Sequence, residues 1–119
     1  MGFQHSDNFF PMCDGKVAFS DVDYVDTWQA MEELIDNKLC KNIGISNFNM
    51  EQIQHLMDNC QIIPQNIQIE LHPYLTQKDL LKCAKYNGIC VTSYASVGSP
   101  KRPWAKDQNV RELLSDYKV

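Results

Sequence analysis

Gly44-Ile45-Ser46-Asn47-Phe48-Asn49, Gln68-Ile69-Glu70-Leu71-His72-Pro73-Tyr74 and Tyr94-Ala95-Ser96-Val97-Gly98-Ser99-Pro100 are the stretches that decide the fold of this chain. Each stands where a short apolar strand pattern ends and a helical or loop pattern begins. Parallel α/β proteins gather their ligand-binding groups at such carboxyl ends of strands, so the chemistry is expected on one rim.

Working outward, Ile43-Gly44-Ile45 reads as a short strand. Asn49 with Gln52 three residues on resembles a capping box that opens a helix with Ile53, Leu56, Met57 and Cys60 on its apolar face. Ile67, Ile69 and Leu71 alternate with Gln68, Glu70 and His72 as a strand does, and Thr76 with Asp79 offers a second cap. Leu80, Leu81 and Ala84 continue that helix, which Gly88 stops, and Ile89–Tyr94 is a third strand. A Gly- and Pro-punctuated loop follows from Ala95 to Pro103, then an amphipathic stretch around Val110–Leu114.

Upstream, Val25, Trp28, Met31, Leu34, Ile35 and Leu39 recur at helical spacing opposite Asp26, Gln29, Glu32, Glu33 and Asp36, with Lys38 expected in the last turn. Residues 1–22 carry Pro11, Gly15 and several Asp without a steady period and read as an irregular loop; the ordered domain is expected over 23–119. The strands recur about every 22–26 residues with a helix between each pair. That is a βα repeat, and it predicts an α/β fold with parallel strands and right-handed crossovers. Three such units leave two unpaired sheet edges, and a closed βα barrel takes about 250 residues, so the expectation is part of a barrel.

Composition narrows the function classes. The chain has 119 residues, is 44% hydrophobic and carries a net charge of -4, which suits one soluble core and gives no basic footprint for nucleic acid. No apolar run approaches the roughly 20 residues of a membrane span, and no charged n-region with an apolar core opens the chain. Cys13, Cys40, Cys60, Cys83 and Cys90 form no CxxC pair and read as reduced apolar residues, which points to the cytoplasm. No spacing predicts a metal site, and His55 and His72 read as structural or surface residues.

Asp23-Tyr24-Val25-Asp26-Thr27-Trp28, Met31-Glu32-Glu33-Leu34, Ile43–Asn49, Gln68–Gln77 and Gly98–Lys106 resemble the aldo-keto reductases, in particular the aldose and aldehyde reductase branch, in order and at the family's spacing. The resemblance runs from about Asn8 to Lys106. It implies a partial (β/α)8 TIM barrel, from just after the fourth strand to just after the seventh. It implies that Ser46, Asn47 and Gln68 hold the nicotinamide carboxamide of NADPH and that Tyr94 stacks on the nicotinamide ring. It also implies that Val97 to Ser99 belong to a loop over the pyrophosphate, and that Trp104 helps line the pocket of a small-molecule carbonyl substrate.

The residues themselves are compatible with those roles. A carboxamide presents one acceptor and two donors, which a hydroxyl and two side-chain amides can satisfy. Ser46-Asn47 equally suits a helix-entry turn, Gln68 and Glu70 a solvated strand face, and Tyr94 and Trp104 plain packing. Inside a closed barrel Glu70 would need a partner, which makes it a supporting residue near the site.

By the resemblance, the Tyr, Lys, Asp and His of the family's catalytic machinery come from strands expected to precede Met1, and the residues that grip the adenosine phosphate from segments expected after Val119. No catalytic residue is therefore assigned, and Tyr24, Tyr74 and Tyr86 are not substitutes for the acid. The chain also departs locally: Tyr94-Ala95-Ser96-Val97-Gly98 stands for a usual Tyr-Ser-Pro-Leu-Gly, Asn66-Ile67-Gln68 shifts the Asn, and Asp107–Arg111 replaces an acidic, Pro-containing segment. The reading is a fragment or truncated form of an NADPH-dependent reductase of aldehydes and ketones. The alternative is a non-catalytic module or pseudoenzyme that self-associates through unpaired strand edges.

Overall fold

The computed structural model describes residues 10–97, 107 and 109. These fall into two units, one built from the chain up to Ile43 with Glu51–Ile63, the other from Gly44–Met50 with Pro64 onward.

In the first unit, β1 (Met12–Cys13) and β2 (Lys16–Val17) pair antiparallel, Met12 opposite Val17 and Cys13 opposite Lys16. The irregular loop expected over 1–22 is thus corrected within this stretch. Asp14 and Gly15 both take positive φ, 50° and 75°, the backbone of the two-residue turn whose twist matches a hairpin. The Ala18 N–H donates to Pro11 O at 2.8 Å and extends the ladder beyond the named strands.

Helix α1 (Tyr24–Asp36) starts where its sequence says it should, because the Asp23 carboxylate accepts the Val25 N–H at 3.0 Å. Its end differs from expectation. Lys38 lies beyond the helix with φ 58°, while its N–H reaches Ile35 O and that of Leu39 reaches Leu34 O, both at 2.9 Å. This pair of bonds is a Schellman closure with a lysine in the place that favours glycine.

The predicted apolar stripe of α1 is corrected too. Trp28 is buried, but so is Glu32, at 6% exposed, whereas Leu34 and Leu39 are exposed. The Trp28 indole N–H donates to Glu32 Oε1 at 3.1 Å and to Ile62 O at 3.0 Å. Glu32 Oε1 also accepts the backbone N–H groups of Gln61 and Ile62 at 2.8 and 2.7 Å. A buried carboxyl oxygen that accepts from three donors has its hydrogen bonding satisfied, which is why a residue assigned by periodicity to the polar face can sit inside. Helix α2 (Met50–Asn59) follows directly on Asn49 and buries Ile53 and Leu56, as the pattern predicts.

In the second unit, β3 (Gly44–Ser46), β4 (Asn66–Glu70) and β5 (Cys90–Tyr94) form a parallel sheet in that order. The chain reaches β4 from β3 by way of α2, and β5 from β4 by way of α3 (Lys78–Tyr86), which is the predicted βα repeat. Gly44 stands opposite Asn66, and a Cβ built there would lie 2.7 Å from Asn66 O, so only glycine permits this approach. Ile45, Ile67 and Ile69 are buried, while Ser46, Gln68 and Thr92 share one exposed cross-strand row.

The cap expected at Thr76 is replaced by Gln77, which has φ 47° and makes no side-chain cap bond. Its amide instead donates to Glu70 O at 3.2 Å and ties the start of α3 to the end of β4. Gly88, at φ 71°, closes α3 as predicted, with Gly88 N–H to Lys85 O at 3.2 Å and Ile89 N–H to Ala84 O at 2.8 Å.

Candidate functional site

All three strands of the parallel sheet end on one side. There β3 passes into Ser46-Asn47, β4 into Glu70 and β5 into Tyr94. Asn47 has φ 59°, a left-handed conformation that Asn tolerates better than most residues. Its N–H donates to Gln68 O at 3.0 Å, carrying the ladder one residue past β3. The Ser46 hydroxyl donates to the same oxygen at 3.0 Å, so the Gln68 carbonyl receives a backbone and a side-chain bond.

Tyr94 arrives from the other outer strand of the described sheet. Opposite Glu70 in register, it accepts the Leu71 N–H at 3.3 Å on its backbone oxygen, which steadies its Cα. Its phenol crosses the strand ends and donates to Asn47 Oδ1 at 2.9 Å. Asn47, Phe48, Glu70, Gln77, Leu80 and Tyr94 line a pocket of about 310 Å³. Tyr94 is 36% exposed there, with ring surface available for contact.

Glu70 meets the expectation of a carboxylate that needs a partner: its Oε1 lies 3.3 Å from Nε2 of the buried His72. His72 itself is buried. Two further polar contacts support the strand layer. Thr92 donates to Asn66 Oδ1 at 2.9 Å, and Ser93 donates to Leu71 O at 2.8 Å. The Ser96 hydroxyl, displaced by one position from the usual pattern, is held against that of Ser93.

Of the residues predicted from sequence, Asn47 and Tyr94 meet directly, and Ser46 and Gln68 meet through the Gln68 carbonyl. The Gln68 side chain is on the exposed face. Val97 is exposed in the turn after Ala95, whose φ is 51°. Ser99 and Trp104 lie outside the described residues, as does the stretch around Val110–Leu114. Gln77 and Leu80 were not singled out as site residues; the signal that could have found them is their place on the loop and helix directly after a strand end.

Elsewhere in this unit the Tyr74 hydroxyl donates to Asp107. That bond to a carboxylate, followed by desolvation and the same negative charge, raises the phenol above its usual range. Among the described residues no group of three or more His, Cys, Asp or Glu could hold a metal, and no helix is long and apolar enough to cross a membrane. All five cysteines are free thiols.

Asn47 and Tyr94 line the pocket described above, while Ser46 and Gln68 lie on the exposed cross-strand row and are not part of its lining. Asn47 keeps its two amide hydrogens while its oxygen is used, Gln68 offers an exposed amide, Ser46 retains acceptor lone pairs, and Tyr94 supplies a ring.

The chain is similar to known proteins along almost its whole length. The model of the Aldo/keto reductase family matches residues 11–113. Aldo-keto reductase family 1 member A1 of Gallus gallus is 38% identical over 125 residues, covering 98% of this chain and 38% of that protein. Aldo-keto reductase family 1 member A1-A of Danio rerio is 42% identical over 120 residues, covering 100% of this chain and 37% of that protein. The solved aldose reductase of Schistosoma japonicum superposes with a TM-score of 0.80 at 35% identity, over 98% of this chain and 38% of that one. The chain therefore spans little more than a third of the length of these relatives, and its three parallel strands and crossover helices are part of a (β/α)8 barrel.

Proposed function

The chain belongs to the aldo/keto reductase family, and we propose that it carries the nicotinamide-holding part of an NADPH-dependent reductase of aldehydes and ketones. In this reading residues 23–119 contribute strands five to seven of the barrel with their helices. The observation that carries it is the convergence of Asn47, Glu70 and Tyr94, from three strand ends, on one pocket with Tyr94 bonded to Asn47.

The residues present fit the cofactor's carboxamide. Asn47 and Gln68 supply amide donors, Gln68 and Ser46 supply acceptors, and the Tyr94 ring stacks on the nicotinamide. By the family resemblance, Val97 and Ser99 are assigned to the segment over the pyrophosphate and Trp104 to the substrate pocket. When bound, NADPH supplies the hydride for carbonyl reduction; the work of these residues is to bind and orient the ring that carries it.

The Tyr, Lys, Asp and His expected of the family's acid machinery have no match among the 119 residues. Loss of a general acid alone costs about 100- to 10,000-fold in rate, so the chain assayed by itself binds without turnover. Five free thiols suit a reducing compartment, and we assign the cytoplasm on that ground.

The test is NADPH titration by nicotinamide fluorescence with circular dichroism on the same sample. Saturable micromolar binding by folded chain is the expected result; a folded chain that leaves the fluorescence unchanged would sink the reading. A second reading, a non-catalytic module that associates with another copy, is favoured by one observation. Among the described residues β3 and β5 each pair on one side only. Sedimentation across a concentration series separates the two, since edge pairing yields a dimer without cofactor.

A further inference from the structure

We infer that the Tyr94 hydroxyl acts as a positioning group for Asn47, tethering its side-chain amide at the pocket by Oδ1 so that both Nδ2 hydrogens stay available to a ligand. The inference rests on the nicotinamide reading above and deepens it: it gives the Tyr94 phenol a task separate from that of its ring.

A side-chain amide rotated by half a turn exchanges its acceptor for two donors while keeping its shape, so a lone Asn at a binding rim presents either face to a ligand. Here the residue is held in place by three contacts. The Asn47 backbone is held by its N–H on Gln68 O at 3.0 Å and by a left-handed φ of 59°, which sets where the side chain starts. The phenol O–H of Tyr94 then points at Oδ1 from 2.9 Å. The Tyr94 backbone is itself held through the Leu71 N–H and its place in register opposite Glu70, so the donor arrives from a fixed position.

With one lone pair of Oδ1 engaged, Nδ2 keeps both of its hydrogens. The two Nδ2 hydrogens are therefore open to a ligand acceptor, such as the oxygen of a carbonyl, while Oδ1 keeps one lone pair. The two residues are 47 positions apart and come from different strands, so the device exists only because the sheet brings the ends of β3 and β5 to one pocket.

The test uses the full 119-residue chain and two substitutions. Tyr94→Phe keeps the ring and removes the donor. Asn47→Asp keeps the left-handed-tolerant shape and removes the amide donors. Nitrogen-15 spectra of the ligand-free chain are read first. The Asn47 side-chain NH2 pair is expected to shift and to exchange faster with water in Tyr94→Phe, while backbone signals of β4 stay in place. An unmoved Asn47 pair overturns the inference whether or not any cofactor binds.

Binding is read second, with NADPH and with its acetylpyridine analogue, which keeps the carbonyl oxygen and replaces NH2 by methyl. Tyr94→Phe is expected to weaken both by about fivefold, the size of one net hydrogen bond. In the Asn47→Asp background the Tyr94→Phe change should add nothing. Additive losses would mean that Tyr94 and Asn47 act independently and would also overturn the inference. If the Asn47 pair shifts as expected but neither dinucleotide binds the parent chain, the positioning stands and the nicotinamide reading fails.

Discussion

Glu32 and Asn47 are both polar side chains assigned to a helix face or a turn by sequence, and the fold uses them in opposite ways. Glu32 is buried, and one of its oxygens receives the Trp28 indole and two backbone N–H groups. Asn47 is exposed and lines a pocket, and only its oxygen is engaged by a side chain, leaving its amide hydrogens unused. A polar group enclosed by donors holds the chain together; one left half-used at an open strand end can hold something else. The difference lies in completeness of hydrogen bonding rather than in residue type.

The comparison breaks most severely at Glu32. Glu32→Ala removes the acceptor of three donors and should cost about 3–5 kcal/mol, read as a loss of midpoint in urea unfolding. Glu32→Gln retains an oxygen and should cost less than half as much. Equal losses in the two variants would mean that side-chain volume, not the carboxylate, matters there. By contrast, Asn47→Asp leaves the structure nearly as stable as before, within about 0.5 kcal/mol, because the position is exposed and keeps its acceptor for Tyr94.

Gly44 tests the platform under the site. Gly44→Ala sets a methyl 2.7 Å from Asn66 O and should cost about 1–3 kcal/mol while loosening the β3–β4 pairing. Faster amide exchange at Asn47 is the local readout, since its N–H belongs to the same ladder.

The two helix ends sharpen the picture at smaller scale. The α1 and α3 ends make the same pair of closing bonds, with Lys38 in one and Gly88 in the other. Lys38→Gly should stabilise the chain by about 0.5–1 kcal/mol in thermal unfolding, because glycine takes positive φ without steric cost.

The smallest effect concerns Cys60, whose thiol is pushed up by burial first and then by the Glu32 carboxylate, against a weaker lowering by a backbone bond. A raised folded value means that its contribution to stability is present below the ordinary thiol pKa and is lost as pH rises through the folded one. Glu32→Gln should therefore speed alkylation of Cys60 at pH 8.5 under folding conditions, followed by mass spectrometry. An unchanged rate would show that the carboxylate's charge does not reach the thiol.

Much of this was readable in advance. The existence of α1, Gly88 as the end of α3, the buried alternation of Ile67 and Ile69 and the strand-helix-strand order all follow from local spacing. The hairpin at Asp14-Gly15 had a sequence signal as well, a dipeptide with both residues suited to positive φ, obscured by the lack of a longer alternating pattern around it. At the site, Ser46, Asn47, Gln68 and Tyr94 were legible as strand-end residues that resemble a known family. Their mutual bonding was not.

The sequence by itself determined the repeat: the alternation of strand and helix, that the strands run parallel, and which strand ends bear polar side chains. These are properties of neighbours a few residues apart, and periodicity records them. Only the tertiary structure decided that Glu32 turns inward, that Thr92 meets Asn66, and that Tyr94 reaches Asn47. Those bonds join residues brought together by helix packing and strand register, and a donor carries no local mark of an acceptor dozens of positions away.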